Sequence, residues 1–325
     1  MFKYFFCIKS CDEMKWYHSL WIISILSIIV LIGIFFIFST PENPLSETNV
    51  SSEEAIEKAL DYLKSKMQED GSIHGPVTTA WVSIAANAAV DNDSEWMQTK
   101  EYLINYTQRI NLSVVTDVER HALALMAFNV DPTNCTGRNL IDAVMNFYDG
   151  TQIGDPDNLF DDAFGLLVLR SYGLAVHTSL IQNVTTYLSQ QQNTDGGWGD
   201  VDVTAAVIMA LSSCGEEESS DILDDAKMYL KTKQNESGGF YSWGSENSAS
   251  TSWAICSIYS MNENPRDIFW IYNDYSPIDY LLRLQQSDGS FSYTSQKNMN
   301  AEWMTAYALL ALSESSFMVS YTHGI

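Results

Sequence analysis

The feature that most restricts how this chain can fold is a glycine-centred turn that recurs four times. It reads Gln68-Glu69-Asp70-Gly71-Ser72-Ile73, Gln192-Asn193-Thr194-Asp195-Gly196-Gly197-Trp198, Gln234-Asn235-Glu236-Ser237-Gly238-Gly239-Phe240 and Gln285-Gln286-Ser287-Asp288-Gly289-Ser290-Phe291. Glycine permits the positive φ that ends a helix and reverses the chain, and the large apolar residue after it anchors the connection. Before each turn, apolar residues fall at helical spacing, as in Ala55, Ala59, Leu60, Leu63 and Met67, or Ile278, Leu281 and Leu282 running on to Gln285. The period of about 40–45 residues is that of stacked helix pairs.

A second helix follows each turn, and six such segments align: Val77-Thr78-Thr79-Ala80-Trp81, Asp117-Val118-Glu119-Arg120-His121-Ala122, Phe160-Asp161-Asp162-Ala163-Phe164, Asp200-Val201-Asp202-Val203-Thr204-Ala205, Ala249-Ser250-Thr251-Ser252-Trp253-Ala254 and Asn300-Ala301-Glu302-Trp303-Met304-Thr305-Ala306. Each opens polar and turns small and apolar. Such helices suit the inner ring of a closed barrel, close-packed through alanine, with their polar first turns meeting at one mouth. The expected fold is all-α, a single α/α toroid of about six helix pairs over residues 53–315, with 316–325 as a C-terminal tail.

Ahead of the repeats, Leu20–Phe38 is an uncharged run of nineteen residues, long enough for a bilayer core. Lys3, Lys9, Lys15 and His18 precede it, whereas Glu42 and Glu47 are the first charges after it. This asymmetry predicts a cytoplasmic tail (1–18), a transmembrane helix (19–39) in contact with the lipid bilayer, a linker (40–52) and an extracytoplasmic body at the cell membrane. The long charged leader and the lack of a small-x-small site argue against a cleaved signal peptide. Seven sequons, at Asn49, Asn92, Asn105, Asn111, Asn134, Asn183 and Asn235, all follow the run. An acidic, anchored body with sequons suits an archaeal cell surface. A formal net charge of −24 repels phosphate backbones, so nucleic acid is not an expected partner. Cys135, Cys214 and Cys256 are too irregularly spaced for a disulfide framework or zinc site, and Cys7 and Cys11, on the inner side, are candidates for acylation.

With its complete Gln-x-x-Asp-Gly-x-Trp motif at Gln192 to Trp198 and a Phe variant at Gln285 to Phe291, the chain resembles the terpenoid cyclase and protein prenyltransferase superfamily, over about Glu53 to Ser315. The resemblance implies the toroid. It does not carry over the prenyltransferase zinc site, because the corresponding places hold Asn247, Ala249 and Met304. Against the Asp-x-Asp-Asp-Thr-Ala stretch of class II cyclases, this chain reads Asp200-Val201-Asp202-Val203-Thr204-Ala205. The resemblance makes Asp202 the candidate acid, with Asp200 beside it, but Val203 replaces the third carboxylate, and the chain has room for one α-barrel where such cyclases pair two. Neither a metal nor a cofactor is expected.

Candidate ligand-binding residues are Asp161 and Asp162, which with Asp200 and Asp202 could form an acidic cluster at the mouth, and the basic pair Arg120 and His121. Asp117, Asp161 and Asp200 also stand where a carboxylate caps a helix, and the basic pair where internal ion pairs form. Trp81, Trp253 and Trp303, with Phe164, Trp198, Tyr241, Trp243 and Tyr307, are expected to line part of the inner ring, Trp198 together with Phe240 and Phe291 serving the repeat turns. The expected function is an extracytoplasmic binding or surface-associated module for an apolar or carbohydrate ligand. The alternative is an enzyme working in the mouth, cyclase-like through Asp202 or acting on a polysaccharide.

Overall fold

Short polar side chains set where the helices begin. Ser51, Asn139, Asp200, Ser220, Asn247 and Ser276 each accept a hydrogen bond from a backbone N–H in the first turn of the helix they precede. In a computed structural model, which describes residues 51–89, 93–215 and 220–322, twelve α-helices follow. In chain order they are α1 (Ser52–Ser65), α2 (Pro76–Ala89), α3 (Met97–Tyr106), α4 (Val115–Ala127), α5 (Leu140–Met145), α6 (Leu159–Ser171), α7 (Ser179–Gln190), α8 (Val201–Ser213), α9 (Asp221–Lys233), α10 (Ser248–Ser260), α11 (Pro277–Leu282) and α12 (Ala301–Leu312). A two-stranded antiparallel ribbon, β1 (Tyr241–Ser242) and β2 (Ser245–Glu246), precedes α10.

The even-numbered helices pack side by side in the order α2, α4, α6, α8, α10, α12, and α12 returns to α2. The odd-numbered helices lie against them. This is the closed ring of six pairs expected from the repeats. The inner helices are apolar on nearly every face: α8 buries Val201 and all of Thr204 to Leu211. A helix apolar all round must be enclosed.

The repeated turn is also the seam between neighbouring pairs. Gln192 Nε2 donates to the Ile222 carbonyl at 2.8 Å, Gln234 Nε2 to that of Trp270 at 2.6 Å, and Gln285 Nε2 to that of Ala55 at 2.8 Å. The last bond joins the final repeat to α1 and closes the circle. Gly289, at φ +83 to +89 like its three counterparts, lies so close to α1 that a Cβ there would stand 2.2 Å from the Lys58 carbonyl oxygen. Each turn is fastened inward as well, since the N–H groups of Ile73, Trp198, Phe240 and Phe291 donate to Thr79, Thr204, Thr251 and Thr305 Oγ1 at 2.9–3.0 Å.

The segment after α12, expected as a tail, is part of the core. Phe317 is 1% exposed and lies inside the ring, its centroid 5.2 Å from Trp81, 5.8 Å from Phe164, 4.7 Å from Trp253 and 6.1 Å from Tyr307. Val319 N–H donates to Ser171 Oγ at the end of α6, and Thr322 Oγ1 to Asn129 Oδ1 just beyond α4. These anchors place the segment across the C-terminal end of the inner ring, which it closes.

Among the described residues no helix is long and apolar enough to cross a membrane. The run Leu20–Phe38, Cys7, Cys11 and the sequons at Asn49 and Asn92 lie outside the described residues. Asn105, Asn111, Asn134 and Asn183 are exposed and Asn235 is half-buried.

Candidate functional site

The inner helices contribute one residue each to a layer within the ring, and reading them in register shows what is unusual. At the position two after the conserved threonine stand Trp81, Phe164, Ala206, Trp253 and Tyr307, while α4 offers Arg120. One residue earlier, where the other helices carry Ala80, Ala163, Ala205, Ser252 and Ala306, α4 carries Glu119. A carboxylate therefore replaces a methyl group or hydroxymethyl in the most crowded part of the barrel. Gly165 on α6 makes the room, for a Cβ there would come within 3.2 Å of Glu119 Oε1 and 2.7 Å of Ile153 Cδ1.

Above the Phe317 plug the ring encloses a half-open cavity of about 260 Å³. Trp81, Phe160, Phe164, Trp253, Trp303 and Tyr307 form its apolar walls, and Thr116, Glu119, Arg120 and Asn158 its polar ones. Trp81 and Trp253 meet edge to face at 6.4 Å, and Phe160 lies 5.7 Å from Trp253. Arg120 sits 5.8 Å above the Trp81 ring and is paired with Asp117 one turn earlier on α4. Glu119 is 0% exposed, and neither carboxylate oxygen has a hydrogen-bond partner among the described residues. Burial, reinforced by the nearby charges of Asp161 and Asp162, raises its pKa well above the usual carboxylate range. The carboxyl lies between two inner helices, beside Gly165, and is closed off from solvent.

The expected site residues separate into three groups. Trp81, Trp253, Trp303 and Arg120 line the cavity. Asp161 and Asp162 lie just behind it and do repeat-specific structural work. Asp162 Oδ1 accepts from Ile153 N–H at 2.7 Å, the bond that threonine makes in four other repeats, and burial pushes its pKa up to about 7. Asp161 accepts from Asp155 N–H and Asn158 Nδ2, which holds the loop into α6 in place. His121 is a correction: it points away from the mouth, buried against Tyr106 and bonded to Thr107 Oγ1 at 2.9 Å, and burial depresses its pKa to about 4. A neutral imidazole in that setting is a core residue.

Asp200 and Asp202 form a separate place, between α8 and the ribbon. Asp200 caps α8 through the N–H groups of Asp202 and Val203. Asp202 Oδ2 accepts from Trp243 Nε1 at 2.9 Å, and burial raises its carboxyl to about 6, partly opposed by the Ser250 hydroxyl and by that bond. Neither residue lines the cavity, and the charges acting on Asp202 come from Asp200, not from Asp161 or Asp162. The expected four-carboxylate cluster is thus two separate pairs. Trp243 and Tyr241 also depart from expectation. They sit on the ribbon, Trp243 at φ 53 and 70% exposed, instead of on the inner ring.

The prenyltransferase zinc position does not fit a metal. Asn247 spends its side chain capping α10, and Ala249 and the buried Met304 complete the set. Among the described residues no group of three or more His, Cys, Asp or Glu side chains converges as a metal site would require.

Sequence reasoning missed Glu119, Thr116, Asn158 and Phe160 as cavity residues, and Phe317 altogether. Glu119 did carry a signal, a charge in an alanine column of the repeat alignment.

No protein-family profile matches the chain, and no curated relative matches it. Solved structures do. A variant of the type II terpene cyclase MstE from Scytonema, in complex with its substrate geranylgeranyl dihydroxybenzoate, superposes with a TM-score of 0.60 at 15% identity, covering 81% of this chain and 97% of that one. ent-Copalyl diphosphate synthase from Streptomyces platensis gives 0.55 at 15%, over 73% of this chain and 50% of that one. A glycosidase variant in complex with glucose gives 0.58 at 8%, over 81% and 96%. At such identities the likeness is one of architecture. The chain has the fold of the terpenoid cyclase α/α-toroid superfamily.

Proposed function

We propose that this protein is a membrane-held binding toroid whose mouth takes a single hydroxylated ring of the size of a sugar. The observation that carries the reading is the Phe317 plug. It fills the closed end of the lumen and leaves above it a cavity of about 260 Å³, where Trp303 also borders a second cavity of about 370 Å³. Small-ligand sites commonly span roughly 300–1,000 Å³, so the plugged cavity by itself matches a single ring. The walls agree with that choice. Flat aromatic faces suit the C–H face of a pyranose, while Arg120, Asn158 and Thr116 offer hydroxyl partners around its edge. The toroid glycosidase that holds glucose supports the reading by analogy of fold, and the terpene cyclases support its apolar rival.

The membrane part of the proposal rests on the uncharged run Leu20–Phe38 and its basic leading flank. An extracytoplasmic body would be digested by protease added outside intact cells.

Titrating the full chain in detergent micelles with glucose, galactose and mannose tests the binding reading. Tryptophan fluorescence should change on binding of at least one, and the change should be lost in Arg120→Met. If none of these sugars gives saturable binding by calorimetry or saturation-transfer NMR, the reading fails.

A second reading, an acid catalyst of cyclase type, is favoured by the raised carboxyl of Asp202. The two separate on Asp202→Asn, which leaves sugar affinity intact in the first and abolishes turnover of a prenyl substrate in the second.

A further inference from the structure

Five Asn-x-Ser/Thr sequons fall within the described residues, and the fold treats one of them differently from the rest. Attachment of a glycan needs an asparagine with a free Nδ2 and, two residues on, a hydroxyl able to bond the same amide. In four sequons the amide or the hydroxyl is committed elsewhere. Asn105 lies in the last turn of α3, and its Thr107 is 0% exposed, donating to the Leu103 carbonyl at 3.0 Å and bonded to His121 Nε2 at 2.9 Å. Asn183 lies inside α7, where Nδ2 donates to Tyr148 Oη at 2.6 Å and to the Gly150 carbonyl at 3.0 Å, and Thr185 Oγ1 is enclosed. After Asn134, the Thr136 hydroxyl turns back to the carbonyl of the buried Cys135. After the half-buried Asn235, Ser237 Oγ donates to Glu246 Oε2 at 2.7 Å.

Asn111-Leu112-Ser113, in the short loop from α3 to α4, is the exception. Ile110 and Val115 are buried, and Arg138 Nη1 holds the Ile110 carbonyl at 2.7 Å, while all four residues between them are exposed. The loop is thus fixed at its base and presents its sequon to solvent. Asn111 Oδ1 accepts from Ser113 Oγ at 2.6 Å and from Ser113 N–H at 3.1 Å, and Nδ2 has no partner among the described residues. This is the turn in which an Asn side chain bonds its own backbone two residues on. Two donors on the amide oxygen draw electron density away from the nitrogen, which makes an Nδ2 proton easier to lose.

We infer that Asn111 is the residue through which the folded body accepts a glycan. The donor is a sugar chain carried on a polyprenyl diphosphate. Nδ2 gives up one proton to a base of the transferase and attacks the anomeric carbon. A C1–N bond forms, the C1–O bond breaks, and its electron pair leaves with the polyprenyl diphosphate. The inference rests on the extracytoplasmic reading of the body, since the sequon must reach the side of the membrane where glycans are transferred.

The test gives the folded full chain, purified in detergent micelles, to a single-subunit oligosaccharyltransferase with a polyprenyl-linked glycan, and maps the products by mass spectrometry. A flexible Asn-Gly-Thr tag appended after Ile325 is the internal standard. Glycan is expected on the tag and on Asn111, with each other described sequon at about one-tenth or less of the Asn111 rate, a barrier difference of about 1.4 kcal/mol. Modification of the loop should be lost in Asn111→Gln and in Ser113→Ala, which keeps the amide and removes the hydroxyl. A chain modified only on its tag, or faster at another of these sequons than at Asn111, overturns the inference, as does a loop still modified in Ser113→Ala. In cells that glycosylate exported proteins, the same tag reads the topology. A tag left bare there, on a chain whose Asn111 is modified in the purified reaction, overturns the extracytoplasmic reading and leaves the assignment of Asn111 standing.

Discussion

The two ends of the ring are built on opposite principles. At the C-terminal end of the inner helices the lumen is closed by Phe317, packed against four aromatic rings, and the crossing segment is tied down by bonds to Ser171 and Asn129. At the mouth, Arg120, Thr116 and Asn158 stand on the wall of a half-open cavity. Close packing is how a protein gains stability, whereas polar groups on a cavity wall can meet a ligand. Two carboxylates share a raised pKa for the same reason, burial, in different settings. Glu119 lies between inner helices beside Gly165, with neither oxygen partnered among the described residues, whereas Asp202, the residue the motif singled out, accepts from Trp243 through one oxygen.

The largest effect should come from the closed end. Phe317→Ala removes the centre of the aromatic cage and should cost about 3–5 kcal/mol of stability, read from denaturant unfolding of the full chain. A loss below about 1 kcal/mol would mean that the lumen is not packed around this ring, and the contrast between the ends would break.

At the mouth, Arg120→Met should weaken sugar binding by about ten-fold or more, the worth of a hydrogen bond from a charged donor to a hydroxyl. Unchanged affinity in a folded variant would remove Arg120 from the site.

The pH dependence follows from the direction of the shifts. Glu119, Asp162 and Asp202 all have folded pKa values above their usual ones, the latter two at about 7 and about 6. Between the unfolded values near pH 4 and these raised values, the folded state holds more protons than the unfolded one. Stability therefore falls as pH rises through this window, by at most about 1.4 kcal/mol per pH unit for each group. Asp162→Asn, which keeps an acceptor for Ile153 N–H, should flatten the profile between about pH 4 and 7. An unaltered slope would place the proton elsewhere.

Gln285→Ala breaks the bond that closes the ring onto Ala55 and should cost about 1 kcal/mol. The smallest effect sharpens the comparison most. Asp202→Asn should leave sugar affinity within about two-fold of the original, because Asn keeps an acceptor for Trp243 and the residue does not line the cavity. A large loss of affinity would join the two carboxylate sites that the structure separates.

Much of the architecture was legible because it is written locally and repeated. The turns carry their own glycine, the helices their own spacing, and Asp200 caps α8 as an aspartate before an apolar run should. Trp81 and Trp253 were legible as mouth residues because the inner-helix alignment puts them in one layer, and Trp303 because it stands in the first turn of α12. His121 and Trp243 were misplaced because the alignment gives a position along the helix without the direction of the side chain. His121 turns outward to Thr107, and Trp243 leaves the ring on a ribbon that interrupts the repeat. Asp162 was legible as unusual, but its role as a stand-in for threonine appears only when Ile153 N–H is seen to meet it.

By itself, then, the sequence determined the all-α repeat, the number of helix pairs, the glutamine-and-glycine seams and the layer of aromatic residues, since each depends on residues close together in the chain. Only the tertiary structure decided that the ring is plugged, that Glu119 is enclosed between neighbouring inner helices, and that Asp202 meets Trp243. Those outcomes depend on which distant segments arrive in the same volume. Phe317 becomes a plug only because the ring closes around it, and Glu119 is tolerated only because Gly165 on the neighbouring helix leaves it room.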